Sequence, residues 1–183
     1  MKFQELELSG SYIIDLDKME DNRGWFARYY CNNEYNELGL DTNIVQANAS
    51  FSKYKGTLRG IHYQLHPKSE TKIVRCLRGS LFDVIVDLRK ESPTFGKWCG
   101  VEISAKNRKM MYVPKGFGHS FFTLEDNTEA LYLVTEFYSP LHERTARWDD
   151  PFFDIKWPHS PSEMSEKDKN ASLFDENYHL EKL

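Results

Sequence analysis

The stretch from Thr57 to Leu88 reads TLRGIHYQLHPKSETKIVRCLRGSLFDVIVDL. Three short runs in it, Thr57 to Leu65, Thr71 to Leu77 and Ser80 to Leu88, are rich in β-branched and aromatic residues. Turn residues, His66-Pro67 and Arg78-Gly79, stand between them. In the last run Phe82, Val84, Val86 and Leu88 share one face, and Asp83 and Asp87 fall on the other. That period of two is the mark of a strand with one apolar side. The pattern continues in both directions. Ser11 to Leu16, Arg23 to Tyr30 and Asn43 to Phe51 precede it, and Trp98 to Ser104, Lys109 to Val113, Ser120 to Leu124 and Ala130 to Tyr138 follow. One early helix is expected over Asn32 to Leu38, capped by Asn32 or Asn33 and stopped at Gly39. Many short strands with almost no helix between them predict an all-β antiparallel sandwich or barrel.

At 183 residues the chain suits one domain with a real core, spanning 1–183. A polar C-terminal segment starts at about 158, in which Ser162 to Asn170 reads as a surface helix or tail. Lys and Arg number 24 against 28 Asp and Glu, which argues against a broad basic surface for nucleic acid. No apolar run nears the ~20 residues that span a bilayer, so no membrane partner is expected. The N-terminus has neither the basic nor the apolar part of a secretory signal. Cys31, Cys76 and Cys99 are scattered and odd in number, which points to reduced thiols in the cytoplasm.

Within this frame His62, Arg59 and Lys72 place an imidazole and two cations close together in the chain. Such a group can take a proton from carbon and hold an anionic substrate. Strict alternation puts Arg59 and His62 on opposite faces, and a bulge at Gly60 would bring them together. Tyr132 and Tyr138 share parity, so both can face one cavity, as core packing or as proton donors. His62, His66, Glu70 and His119 partly resemble the metal set of cupin barrels, whose imidazole and carboxylate ligands suit iron, manganese or zinc. Cupin sites usually pair two histidines two residues apart, whereas His62 and His66 are four apart. Trp148-Asp149-Asp150-Pro151 reads as a structured turn.

Five motifs in order give a family resemblance: LRGIHYQ at Leu58 to Gln64, KIVRCLRG at Lys72 to Gly79, SPTFGKW at Ser92 to Trp98, VPKGFGHSF at Val113 to Phe121 and RWDDP at Arg147 to Pro151. They resemble the dTDP-4-dehydrorhamnose 3,5-epimerases of deoxysugar biosynthesis. The resemblance implies a cupin-type jelly roll, a homodimer, and a nucleotide-sugar substrate, most commonly dTDP-linked, handled without metal or other cofactor. By the same resemblance His62 is the base, Tyr132 the acid, Asp168 the carboxylate that orients the histidine, and Lys72 the partner of an enolate oxygen. Arg23, Gln46, Asn48, Arg59, His119, Glu143 and Lys167 resemble the family's substrate contacts, with Tyr138 close by. Arg28 stands where the family often carries a glutamate at the nucleotide end, Ala47 replaces an acidic residue, and Leu133 stands where a lysine is common. The expected reaction is inversion at C3, C5 or both of a nucleotide-linked 4-keto-6-deoxyhexose. A metal-dependent cupin enzyme and a non-catalytic nucleotide-sugar-binding cupin are the alternatives.

Overall fold

Alternating side chains along short strands build two antiparallel sheets that face each other. The structure is a computed structural model and describes residues 1–180; the last three residues of the C-terminal segment lie outside the described residues. In chain order the strands are β1 (Lys2–Glu5), β2 (Tyr12–Asp15), β3 (Met19–Asp21), β4 (Gly24–Phe26), β5 (Gln46–Ser52), β6 (Leu58–Gln64) and β7 (Lys72–Arg78). They continue with β8 (Ser80–Asp87), β9 (Trp98–Ser104), β10 (Met110–Val113), β11 (Phe117–Thr123), β12 (Thr128–Val134) and β13 (Glu143–Thr145). The helices are single turns: α1 (Asn32–Asn36), α2 (Glu166–Lys169) and α3 (Glu176–His179). One sheet has the order β1-β2-β10-β7-β12-β5, and the other β13-β6-β11-β8-β9. Strands β3 and β4 form a separate hairpin. This is the expected all-β, cupin-type jelly roll.

Between the sheets, Val74, Cys76, Met111 and Ala130 of one pack with Leu81, Ile85, Ile103 and Phe117 of the other. The outer faces are covered as well. On the five-stranded sheet Ile61, Tyr63, Val86 and Leu88 lie under Phe153 and Ile155 and under Phe174 from the C-terminal segment. On the six-stranded sheet Ile14, Ile73 and Met110 lie under Tyr35, Leu40 and Ile44.

This double cover buries both faces of β8. The face of β8 that carries Asp83 and Asp87 is not a solvent face, since both aspartates are fully buried. Leu81 and Ile85 on that face belong to the inter-sheet core, while Val86 and Leu88 on the opposite face meet the C-terminal segment. Burial opposes the charge on Asp87, but Arg89 Nη2 at 2.8 Å and the hydroxyls of Ser92 and Thr94, each at 2.6 Å, outweigh it and hold the carboxyl below its usual range. The Ser92–Trp98 motif thus serves the fold. The Ser162–Asn170 stretch carries the expected surface helix: α2 is exposed at Glu166, Lys167 and Lys169, with Asp168 alone of its residues buried.

Smaller differences lie at element ends. The Arg23–Tyr30 run pairs only over Gly24–Phe26, and the Ala130–Tyr138 run leaves the sheet after Val134. Helix α1 ends before Gly39, at φ +69°, but its N-cap is Cys31 without a side-chain cap bond. Trp148 to Pro151 is a structured turn, as expected: the buried Asp150 accepts from the Phe152 N–H at 2.8 Å.

Candidate active site

The site begins with an irregularity in β6. His62 stands opposite His119 on β11, yet Arg59 stands opposite Phe121, so three steps along β6 match two along β11. That extra residue is the bulge left open by the sequence, and it moves Arg59 onto the cavity side with His62. Glycine is required there. Gly60 has φ +118°, and a Cβ on it would lie 2.6 Å from the His119 carbonyl oxygen and 2.8 Å from Ser120 Cα.

Strand parity then sets the walls. The six-stranded sheet supplies Gln46, Asn48 and Ser50 from β5, Lys72 from β7 and Tyr132 from β12. Arg59 and His62 from β6, with His119 and Phe121 from β11, come from the other sheet. Tyr132 pairs in register with Asn48 on one side and Val74 on the other, so it points between the sheets. The hollow has two lobes of about 470 and 350 Å³ that share His62, Lys72 and Tyr132. Arg59 and His119 belong to the first lobe; Gln46, Asn48, Glu70, Tyr138 and Glu143 belong to the second. Together they suit a ligand with a charged part and a polar part.

His62 Nε2 lies 2.6 Å from Asp168 Oδ1, a residue 106 positions further along the chain. Asp168 is brought there by α2, whose N-cap Ser165 Oγ accepts from the Asp168 N–H at 3.1 Å. The segment before α2 is tied to β6 by a bond from the Leu58 N–H to the Glu163 carbonyl at 2.9 Å. Burial would raise the Asp168 carboxyl, but the His62 bond and charge, with the Gly60 N–H at 3.4 Å, hold it below its ordinary value. An ionised Asp168 accepts a proton-bearing Nε2, which leaves Nδ1 as the basic atom of the imidazole.

A second pair lies beside the first. His119 Nε2 is 2.8 Å from Asp83 Oδ1, and both side chains are buried. Asp83 Oδ2 has no hydrogen-bond partner.

On the facing sheet, burial pushes the Tyr132 phenol up, the Glu70 charge adds to that, and Arg59 opposes it. Lys72 Nζ lies 3.2 Å from Glu70 Oε1. Arg59 is steadied by bonds to the Phe51 carbonyl at 3.0 Å and Ser52 Oγ at 3.3 Å. At the rim Tyr138 donates to Glu143 Oε2 at 2.8 Å, and Lys167 Nζ meets Glu143 Oε1 at 2.5 Å. Tyr138 reaches the second lobe from beyond the end of β12, not from the strand parity expected of it.

The expected set does not converge completely. Arg23 is exposed at the β3–β4 turn and pairs with Asp21 at 2.7 Å, while Arg28 pairs with Glu34 at 3.0 Å; neither lines the two lobes. His66 is exposed in its turn, and among the described residues no group of three or more His, Cys, Asp or Glu is arranged to hold a metal ion. Ser50, Phe121 and the Asp83 carboxylate are additional wall residues or supports. Parity could have found two of these, since Ser50 lies two residues from Asn48 and Phe121 two from His119.

A family model described as dTDP-4-dehydrorhamnose 3,5-epimerase matches residues 5–176. The chain is similar to the dTDP-4-dehydrorhamnose 3,5-epimerase of Shigella flexneri, with 41% identity over 182 residues, 98% of this chain and 100% of that one. Among solved structures it resembles the same enzyme from Elizabethkingia anophelis, with TM-score 0.91 and 40% identity over 95% of this chain and 96% of that one. The Bacillus anthracis enzyme, solved with TDP and PPi bound, gives TM-score 0.90 and 40% identity over 94% and 99% of the two chains.

Proposed function

The chain belongs to the dTDP-4-dehydrorhamnose 3,5-epimerase family, and from that membership we propose that it inverts C3 and C5 of a dTDP-linked 4-keto-6-deoxyhexose, with His62 as base and Tyr132 as acid. The observation that carries this reading is the placement of His62 and Tyr132 on facing sheets of one cavity, with Lys72 shared by both lobes.

Hydrogens on C3 and C5 are acidic because each carbon neighbours the C4 ketone. His62 Nδ1 takes the proton from one face, and the electron pair moves into an enolate whose oxygen charge meets the Lys72 ammonium. Tyr132 gives its proton to the same carbon from the other face, so the configuration inverts and no hydrogen is gained or lost. Exchange with solvent then returns a proton to the phenolate and removes one from the imidazole. A phenol is protonated at neutral pH, so Tyr132 has a proton to give. Arg59 and His119 hold the diphosphate, and Gln46, Asn48, Tyr138, Glu143 and Lys167 make further contacts with the nucleotide-sugar.

The rest of the reading follows from the family and the surface. A homodimer gives Arg23 and Arg28 a role, because neither lines the chain's own cavity and the β3–β4 hairpin beside them exposes Met19 and Phe26. One cupin-like unit across 1–183, acting in the cytoplasm, completes the proposal; among the described residues no helix is long and apolar enough to cross a membrane.

The test is incubation with the 4-keto nucleotide-sugar in heavy water, followed by NMR. Deuterium enters at C3 and C5 with inversion at both; entry at C3 alone would reduce the activity to a single inversion.

A further inference from the structure

The turn after β6 leaves in the site a carboxylate that the proposed reaction does not use. Glu70 lies two residues before Lys72, and its Oε1 is 3.2 Å from Lys72 Nζ, with the two side chains only 12% and 10% exposed. Among the described residues Glu70 is the one acid within ion-pair distance of that ammonium. The turn itself is held firmly. Gln64 Nε2 donates to the Lys68 carbonyl at 2.8 Å, Lys68 Nζ meets Glu136 Oε1 at 3.2 Å, and the Thr71 N–H donates to Thr135 Oγ1 at 2.9 Å.

A lysine ammonium sits on a flexible four-carbon stem, whereas stabilising an enolate needs a charge that is already in place. A bare carboxylate so close to a developing enolate would repel it. Paired with Lys72, the same carboxylate directs the ammonium and takes only one of its three N–H donors. We propose that Glu70 is a positioning residue for the reaction, holding the Lys72 ammonium at the junction of the two lobes, where the enolate oxygen forms. This rests on the reading of Lys72 as the enolate's partner.

Steady-state kinetics of Glu70→Gln, Glu70→Ala, Lys72→Met and the Glu70→Ala/Lys72→Met double variant, with the dTDP-linked 4-keto-6-deoxyhexose, test this. Glu70→Gln keeps the side-chain volume and guards against misfolding. Both Glu70 variants should lower kcat by roughly 10- to 100-fold with KM nearly unchanged. Glu70→Asp should recover part of the loss. In the Lys72→Met background Glu70→Ala should cost nothing further, because the two residues act as one unit. Wild-type kcat in Glu70→Ala, or a fully additive loss in the double variant, while Lys72→Met is impaired, would overturn the role of Glu70 alone. Wild-type kcat in Lys72→Met would overturn the Lys72 reading and this proposal with it.

Discussion

Two histidine–aspartate pairs stand side by side in this site, and they are built in opposite ways. In the His62–Asp168 pair the imidazole is 32% exposed while the carboxylate is 3% exposed and well supplied with partners. In the His119–Asp83 pair the imidazole is 8% exposed, the carboxylate is fully buried, and one carboxylate oxygen has no partner. The first pair joins a strand to a segment far along the chain; the second joins neighbouring strands of one sheet. An open imidazole backed by a saturated carboxylate can exchange protons with a ligand and return to its starting state. A covered imidazole held between strands is a fixed polar wall. The same two residue types therefore give a base in one place and a binding contact in the other.

The contrast can be broken most directly at the two histidines. His62→Ala should lower the rate of solvent exchange into substrate by about 10²- to 10⁴-fold, the range for a positioned general base. His119→Ala should keep the exchange and mainly raise KM; equal loss of exchange in both would erase the distinction. Asp168→Asn should lower kcat by roughly 10- to 100-fold, since the amide no longer fixes the imidazole tautomer. Asp83→Asn should leave kcat nearly unchanged and act through KM, measured on the same substrate.

Gly60→Ala touches both pairs. Its Cβ meets the His119 carbonyl, and the Gly60 N–H is one of the donors to Asp168. The strained φ alone should cost roughly 1–3 kcal/mol, read by chemical denaturation. The smallest effect is in acid. Asp168 is held below its ordinary value, so its contribution to stability is complete above about pH 3.9 and is lost as pH falls through the lower folded pKa. The stability gap between wild type and Asp168→Ala should therefore shrink below about pH 4. A gap that stays constant down to acid unfolding would remove the ionised carboxylate from the pair.

Much of the sheet architecture was legible because it rests on local pattern. The runs at Trp98 to Ser104 and Thr57 to Leu65 became β9 and β6 within a residue or so. Short strands with few alternating positions escaped, as with β1, β3 and β13. In the site, His62, Lys72, Arg59 and His119 from three of the motifs line one cavity with Tyr132, which lies in none of them. Arg23 and Arg28 do not join them within one chain, because the hairpin and helix that hold them pack elsewhere. Asp83 was visible only as the polar side of a strand, since alternation assigns a residue to a face but not to the element that covers it.

The sequence by itself determined the kind of fold and the chemical repertoire: period-two strands closed by turns, and an imidazole, phenol and ammonium carried on them. Tertiary structure alone decided which of these groups meet. The bulge at Gly60 reversed the parity of Arg59, and a one-turn helix from the polar C-terminal segment brought Asp168 to His62. Strand periodicity is a local property of backbone geometry, whereas both of these results depend on packing between segments distant in the chain.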